Sequence, residues 1–317
     1  MANNLNIQQG LYNQNTAFIE VWSEMIATQK AGPYEMWTQS IDGNGEARIE
    51  LAFLANHPVM RKWLGARQHK SLRAYTQAIS YDDYEGTLTL DTGVVDFDKT
   101  GAVSRAISEY LKQLDAYDLA IATAFDSASG AGPTGFDGVA LFATTHPHSS
   151  SGGNQANLAT TTVLNHTNLV AAEYAGMLIT HENARPADIQ YSMMRVGPKL
   201  KRRAQELVSA DRVVGWSSAS LEAGTTVAAS TRTSVWQGDM KVAVDPRVTG
   251  FDWTLIDENK SAKPMVLFKV QEPTPVLRVD KNDPHVMEHR EYVYGVDARF
   301  GVAAGHWHSA YRCTASS

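Results

Sequence analysis

The chain has 317 residues, 43% of them hydrophobic and 20% charged, with a mean hydropathy of -0.29. At ~150 residues per domain this allows two lobes with buried cores, and the balance excludes a disordered or membrane-embedded chain. The 28 Lys and Arg against 34 Asp and Glu give a net charge of -6 with no long run of one sign, which excludes a basic tail that grips nucleic acid by counterion release.

Residues 1–30 are rich in Asn and Gln, and then Phe18, Val21, Trp22, Met25 and Ile26 recur at helical spacing. One apolar face on so short a segment predicts an arm that needs a surface to lie on. Met1 to Gly10 lack the basic flank and apolar stretch of a signal peptide, and no apolar run approaches the ~20 residues of a membrane span, so neither export nor membrane insertion is expected. Gly32-Pro33 and Asp42-Gly43-Asn44-Gly45 punctuate turns, with one short strand between them.

From Trp63 to Asp91, Leu88 and Leu90 alternate with Thr87 and Thr89, and Tyr75, Ile79, Tyr81 and Tyr84 supply strand formers. The pattern predicts a long two-stranded excursion with its tip at Asp82-Asp83 or Glu85-Gly86. Asp98 or Thr100 then caps a helix over residues 100–128, with apolar positions at Val103, Ile107, Tyr110, Leu111, Leu114, Tyr117, Ile121 and Phe125 and a stop at Ser129-Gly130. At about 1.5 Å per residue it reaches roughly 43 Å, the length of a spine.

A Gly-, Ser- and Ala-rich loop follows, then Phe136-Asp137-Gly138 through Pro147 and a polar stretch at residues 149–157. A second helix is predicted from an Asn165 or Thr167 cap through Val170, Tyr174, Met177 and Leu178. A third opens on Pro198 and buries Leu200, Ala204, Leu207 and Val208, and a strand between the two carries Ile189, Tyr191 and Met193 on one face. Residues 209–238 show no usable pattern. Strands are predicted at Lys241–Val244, Trp253–Ile256, Met265–Val270, Val276–Val279 and Glu291–Arg299.

Chemistry-bearing motifs are sparse. His146-Pro147-His148 and His306-Trp307-His308 place two imidazoles on one side of an extended strand, but each pair needs a third ligand, and their settings favour surface or interface histidines. The sequence has no GxSxG elbow, GxxxxGK[ST] loop or HExxH helix. Gly130, Gly132, Gly135 and Gly138 follow a helix rather than join a strand to one, which suits hinges better than a phosphate cradle. Lys199, Lys201, Arg202 and Arg203 read as a solvated helix face, with an acidic neighbour or encapsidated polyanion as the alternative. Asp82/Asp83 and Asp96/Asp98 read as turn and cap residues, and the single cysteine, Cys313, as a half-buried small apolar residue with no disulfide partner. Neither a cofactor nor a metal site is predicted.

Taken in order, Trp63-Leu64-Gly65-Ala66-Arg67, Tyr84-Glu85-Gly86-Thr87-Leu88, the spine helix, Phe136-Asp137-Gly138-Val139-Ala140-Leu141-Phe142 with Thr145-His146-Pro147, and Tyr294-Gly295-Val296-Asp297-Ala298-Arg299 resemble the Mu-like major head subunit family, the major capsid proteins of transposable tailed phages. The resemblance implies the α+β tailed-phage capsid fold. It would place an N-terminal arm at 1–30, the start of the peripheral domain at 31–61, an extended loop at 62–98, the spine helix at 99–129, mainly the axial domain at 130–265, and returning peripheral strands with the C-terminal end at 266–317.

It implies a structural subunit, not an enzyme, whose copies form hexamers and pentamers of an icosahedral shell around double-stranded DNA held without sequence specificity. A separate scaffolding protein, a portal and a decoration protein would be its partners, with assembly in the host bacterial cytoplasm, a final place in the virion and no membrane. Phe18 and Trp22 on the arm and Tyr75, Tyr81 and Tyr84 on the loop are then expected in subunit contacts, with Arg67 and Glu85 as an intersubunit ion pair. Lys70 lies where some relatives of the fold form a covalent cross-link, without other support here. An encapsulin-like compartment is the alternative within the fold, and a metal-dependent hydrolase using the HxH pairs is the alternative outside it.

Overall fold

The computed structural model describes residues 36–55, 62, 73–98, 100–113, 116–147, 153–181, 185–209 and 236–315. The predicted arm with Phe18 and Trp22, together with Arg67, Lys70, Leu114 and His148, lies outside the described residues. In chain order the described strands are β1 (Thr38–Asp42), β2 (Arg48–Ala55), β3 (Arg73–Ser80), β4 (Asp82–Asp91), β5 (His146–Pro147), β6 (Asn154–Gln155), β7 (Leu158–Ala159), β8 (Met193–Val196), β9 (Lys241–Val244), β10 (Trp253–Ile256), β11 (Met265–Arg278), β12 (Glu291–Ala304) and β13 (Ala310–Cys313). The helices are α1 (Thr92–Asp96), α2 (Ala102–Gln113), α3 (Ala116–Phe125), α4 (His166–Met177), α5 (Lys201–Ser209) and α6 (Pro284–His289).

Helical spacing fixes the spine. Val103, Ile107 and Leu111 of α2 and Tyr117, Ile121 and Phe125 of α3 are all buried, following the predicted stripe. The stripe serves two cores: its first half packs with Val95, Val286, Tyr292, Tyr294 and Val296, its second with the largest cluster of the molecule around Trp253, Leu255 and Phe142. Asp98 caps α2 by accepting from the backbone N–H of Thr100 at 2.8 Å and of Val103 at 2.9 Å. The Val103 and Thr100 N–H groups hold its carboxyl down at about 2. α3 ends at Phe125, short of the predicted residue 128, because Ala128 and Ser129 turn into the left-handed region at φ 50° and 57°.

Two sheets flank this axis. One has the order β1-β11-β12-β4, and in β4 the inward Tyr84, Leu88 and Leu90 face the core while Glu85, Thr87 and Thr89 are exposed. Its β11 is one 14-residue strand where the sequence predicted two. Pro273 supplies no N–H, and the register with β12 shifts between Lys269 and Gln271 and again between Gln271 and Thr274, so the break in alternation is a bulge and not a chain reversal. The second sheet has the order β7-β13-β10-β8-β9, with every residue of β8, β10 and β13 buried. β13 escaped sequence detection because it is four residues long and carries Arg312.

The predicted two-stranded excursion over Trp63–Asp91 is corrected. β3 pairs with β2, Arg48 opposite Ser80 through Ala55 opposite Arg73, whereas β4 pairs with β12. Asp82-Asp83 and Glu85-Gly86 lie inside β4 rather than at a tip, and Tyr81 carries the chain from one pairing to the other. Alternation marks a strand but does not name its partner, and the Thr, Tyr and Leu run simply continued across two pairings.

The hairpin of β2 and β3 meets the body at its base, where a Cβ on Gly301 of β12 would lie 2.1 Å from the Ser80 carbonyl oxygen. Gly301→Ala is therefore expected to cost roughly 1–3 kcal/mol of overpacking, read as a lower denaturant midpoint with an unchanged slope.

A buried charge junction and candidate assembly surfaces

The inner end of the spine is held by charge. Arg195 of β8, Thr254 of β10 and Arg312 of β13 stand side by side in register, so the two guanidiniums project from the same face of the sheet toward Asp126, the residue after α3. Asp126 accepts from Arg195 at 2.7 and 3.1 Å and lies 2.8 Å from an Arg312 nitrogen. Asp245 takes the remaining side of Arg195 at 2.8 Å, and Asp252 lies 3.4 Å from Arg312. Phe125 sits 5.0 Å from the Arg195 guanidinium and Phe142 5.4 Å from that of Arg312, closing the junction with ring faces. Burial works against the Asp126 carboxylate, but the hydrogen bonds and charge of Arg195, with those of Arg312, outweigh it and hold the carboxyl below its ordinary range. Burial likewise opposes the charge of Arg195, and Asp126 with Asp245 overcomes it.

A second network explains the Asp137, His146 and Pro147 string. His146 is buried, not at the surface as its sequence setting suggested: its Nδ1 is 2.7 Å from Asp137, its Nε2 is 3.1 Å from Asn157 Oδ1, and its ring stacks on Trp307 at 4.0 Å. The Asn157 amide donates to the carbonyls of Leu141, Trp307 and Ala310, while its Oδ1 accepts from the Ala143 N–H, so one fully buried side chain ties residues 141–157 to the C-terminal strand. No group of three metal-capable donors gathers among the described residues, and His146 is committed to Asp137 and Asn157. Gly130, Gly132 and Gly138 adopt φ of 91°, 76° and 78°, tight-turn conformations where hinges were expected. Cys313 is fully buried rather than half-buried, and burial pushes its thiol up.

The predicted contact residues are scattered. Tyr84 stacks on Phe300 at 4.0 Å within its own subunit, and Tyr75 tilts against Phe136 at 5.7 Å. Tyr81 is half-buried between β3 and β4. Glu85 is exposed, accepts from Thr87 Oγ1 at 2.6 Å and lies opposite Asp297 in the register. Asp83 pairs with Arg299 at 2.7 Å, and Lys199, Lys201, Arg202 and Arg203 are exposed as expected. Sequence reasoning missed the outer face of α4, where Val170, Tyr174, Met177 and Leu178 are exposed beside Val163. The helix runs through those residues as predicted, but Leu169, Ala172 and Gly176 are the ones that face the core. It also missed the ring cluster toward the end of the hairpin away from Ser80, where Phe53 stacks on Phe136 at 4.5 Å and both meet His306.

The family model for the Mu-like prophage major head subunit gpT matches residues 13–162 and 237–316. The chain belongs to that family. The Mu-like prophage FluMu major head subunit of Haemophilus influenzae is 37% identical over 59 residues, and the match spans 19% of either chain. The fold is that of phage capsid subunits: the chain matches the procapsid of bacteriophage JBD30 with a TM-score of 0.52 at 19% identity, over 96% of this chain and 74% of that one. The capsid of the native GTA particle gives 0.52 at 10% identity over 90% of each chain, and the capsid of the cyanophage P-SCSP1u gives 0.52 at 10% over 89% and 87%. Within this head-subunit fold, the charge junction is where the spine meets the five-stranded sheet.

Asp126→Asn removes the charge shared by two buried guanidiniums and is expected to cost roughly 2–4 kcal/mol, read in chemical denaturation. His306 supplies a pH signature. Burial, with the nearby charge of His181 adding to it, lowers its folded value to about 4 from 6.5. The unfolded chain therefore takes up a proton before the folded one, so this group's stabilisation is full above pH 6.5 and declines as pH falls toward 4, by at most about 3 kcal/mol. Comparing wild type with His306→Phe across that window should show the variant losing less stability.

Proposed function

We propose that this chain is the structural subunit of a phage or prophage head, and that its work is assembly rather than catalysis. The observation that carries this reading is the hairpin of β2 and β3, a two-stranded sheet with no third strand among the described residues. One face of the ribbon is covered within the subunit, where Ile79, Ile49 and Leu51 pack with Val266, Phe268 and Ala303, and its open face and edges are what it offers to a neighbouring copy. The exposed α4 face and the edge position of β4 in its sheet add adhesive surfaces of the same kind.

On this reading the extended loop comprises β2, β3 and the residues between them, in place of 62–98, and the arm is 1–30. The spine is α2 with α3. The peripheral domain holds the four-stranded sheet with α1 and α6, and the axial domain holds the five-stranded sheet with α4 and α5. Head-to-tail contacts that close into hexamers and pentamers build the icosahedral shell. Double-stranded DNA fills it without sequence-specific contacts, consistent with the net charge of -6. A scaffolding protein, a portal and a decoration protein are its partners, assembly takes place in the bacterial cytoplasm, and the finished subunit resides in the virion.

Negative-stain electron microscopy and sedimentation of the purified protein, alone and with its scaffold, should show rings, tubes or closed shells. Tyr174→Glu and Leu178→Glu should keep the circular dichroism spectrum and lose those assemblies. A wild-type protein that stays monomeric under all these conditions overturns the reading.

A further inference from the structure

The one pair of imidazoles one helical turn apart among the described residues lies on α6. Asp283 caps this helix by accepting from the His285 N–H at 2.9 Å, Pro284 occupies its first turn, and Arg290 ends it at φ 54°. Both ends are thus set, and His285 and His289, four residues apart, share a face. Their ring centroids are 4.7 Å apart with the planes at 46°. With zinc–nitrogen bonds of about 2.0–2.1 Å and a tetrahedral angle, two imidazoles sharing one ion hold their ring centres about 5 Å apart.

The other histidines near an aromatic or a second imidazole are differently committed. His146 is held by Asp137 and Asn157, His306 lies among Phe53 and Phe136, and His308 is stacked on Trp307 at 3.8 Å although His181 is 5.4 Å away. In contrast, the Nε2 of His285 is a buried nitrogen with no hydrogen-bond partner, while His289 is exposed. An unsatisfied buried nitrogen beside a second, exposed imidazole is the arrangement a soft-to-borderline cation completes.

We propose that His285 and His289 form a two-histidine site for a divalent transition-metal ion of the zinc type. The exposed His289 ring swings to admit the ion to the His285 Nε2. Both rings bind through neutral nitrogens, and water fills the remaining positions, since no third protein donor gathers among the described residues. The site is independent of the assembly reading, because it uses one helix of one subunit.

The test is titration of the untagged full chain with Zn²⁺ and separately with Ni²⁺ at pH 7.5, followed by calorimetry and by the shift in thermal midpoint that binding to the folded state produces. The expected result is an affinity at least about tenfold weaker in both His285→Ala and His289→Ala, with the midpoint shift lost and wild-type binding abolished at pH 5, where protons compete for the imidazoles. His289 is exposed, so His289→Ala alone keeps the test sound if His285→Ala does not fold. Undiminished affinity in His289→Ala, loss of affinity in His181→Ala instead, or no binding by wild type each overturns the proposal.

Discussion

The carboxylate of Asp126 holds two guanidiniums from two strands of one sheet to the end of one helix. Three ionised groups in so closed a place are stable only together, because each would face a desolvation cost of several kcal/mol without its partners. Their shared geometry therefore fixes the angle at which the spine enters the five-stranded sheet. Apolar packing alone would tolerate sliding of α3 over Phe142 and Trp253, whereas a bidentate contact does not. The register that places Arg195, Thr254 and Arg312 side by side is in turn what lets one carboxylate bridge both arginines, with Asp245 and Asp252 taking their other sides.

From that anchor the spine extends into a second, separate core, and this arrangement suits a subunit that must hold its shape under load. Val103, Ile107 and Leu111 lock α2 against Tyr292 and Tyr294, while Tyr117, Ile121 and Phe125 seat α3 in the larger core. The surfaces left open are a hairpin hydrogen-bonded only to itself among the described residues, an edge strand with exposed Glu85, and a helix whose end turns Tyr174 and Leu178 outward. The hairpin is held to the body at two places, by the ring cluster of Phe53, Phe136 and His306 and, toward its other end, by the close approach of Ser80 that Gly301 allows.

The spine was legible because its period is local, as was the third helix, where Pro198 and the burial of Leu200, Ala204, Leu207 and Val208 follow from short-range rules. β9 and β10 were legible at both ends for the same reason. The partner of β3 was not legible, since Tyr75, Ile79 and Leu88 satisfy alternation equally well in one hairpin or in two sheets. The outward face of α4 was not legible because it carries as many apolar residues as the inward one, and the small Ala172 and Gly176 that pack inside are no stronger a signal in sequence. His146 belongs to the Thr145-His146-Pro147 string and Asn157 closes the polar stretch at 149–157, yet their burial depends on Trp307 and Ala310, about 150 residues beyond Asn157.

By itself the sequence determined the amphipathic spine, a choice of two cap residues for each of two helices, most C-terminal strands, the exposed basic helix face, and a family-specific order of short strings. Periodicity, capping and turn chemistry act over a few residues, so they are written in neighbouring letters. Only the tertiary structure decided that β3 folds back on β2, that Asp126 unites Arg195 with Arg312, and that Asn157 reaches Trp307 and Ala310. Those outcomes depend on which distant surfaces exclude water from one another, and that is settled by packing across the whole chain rather than by any local pattern.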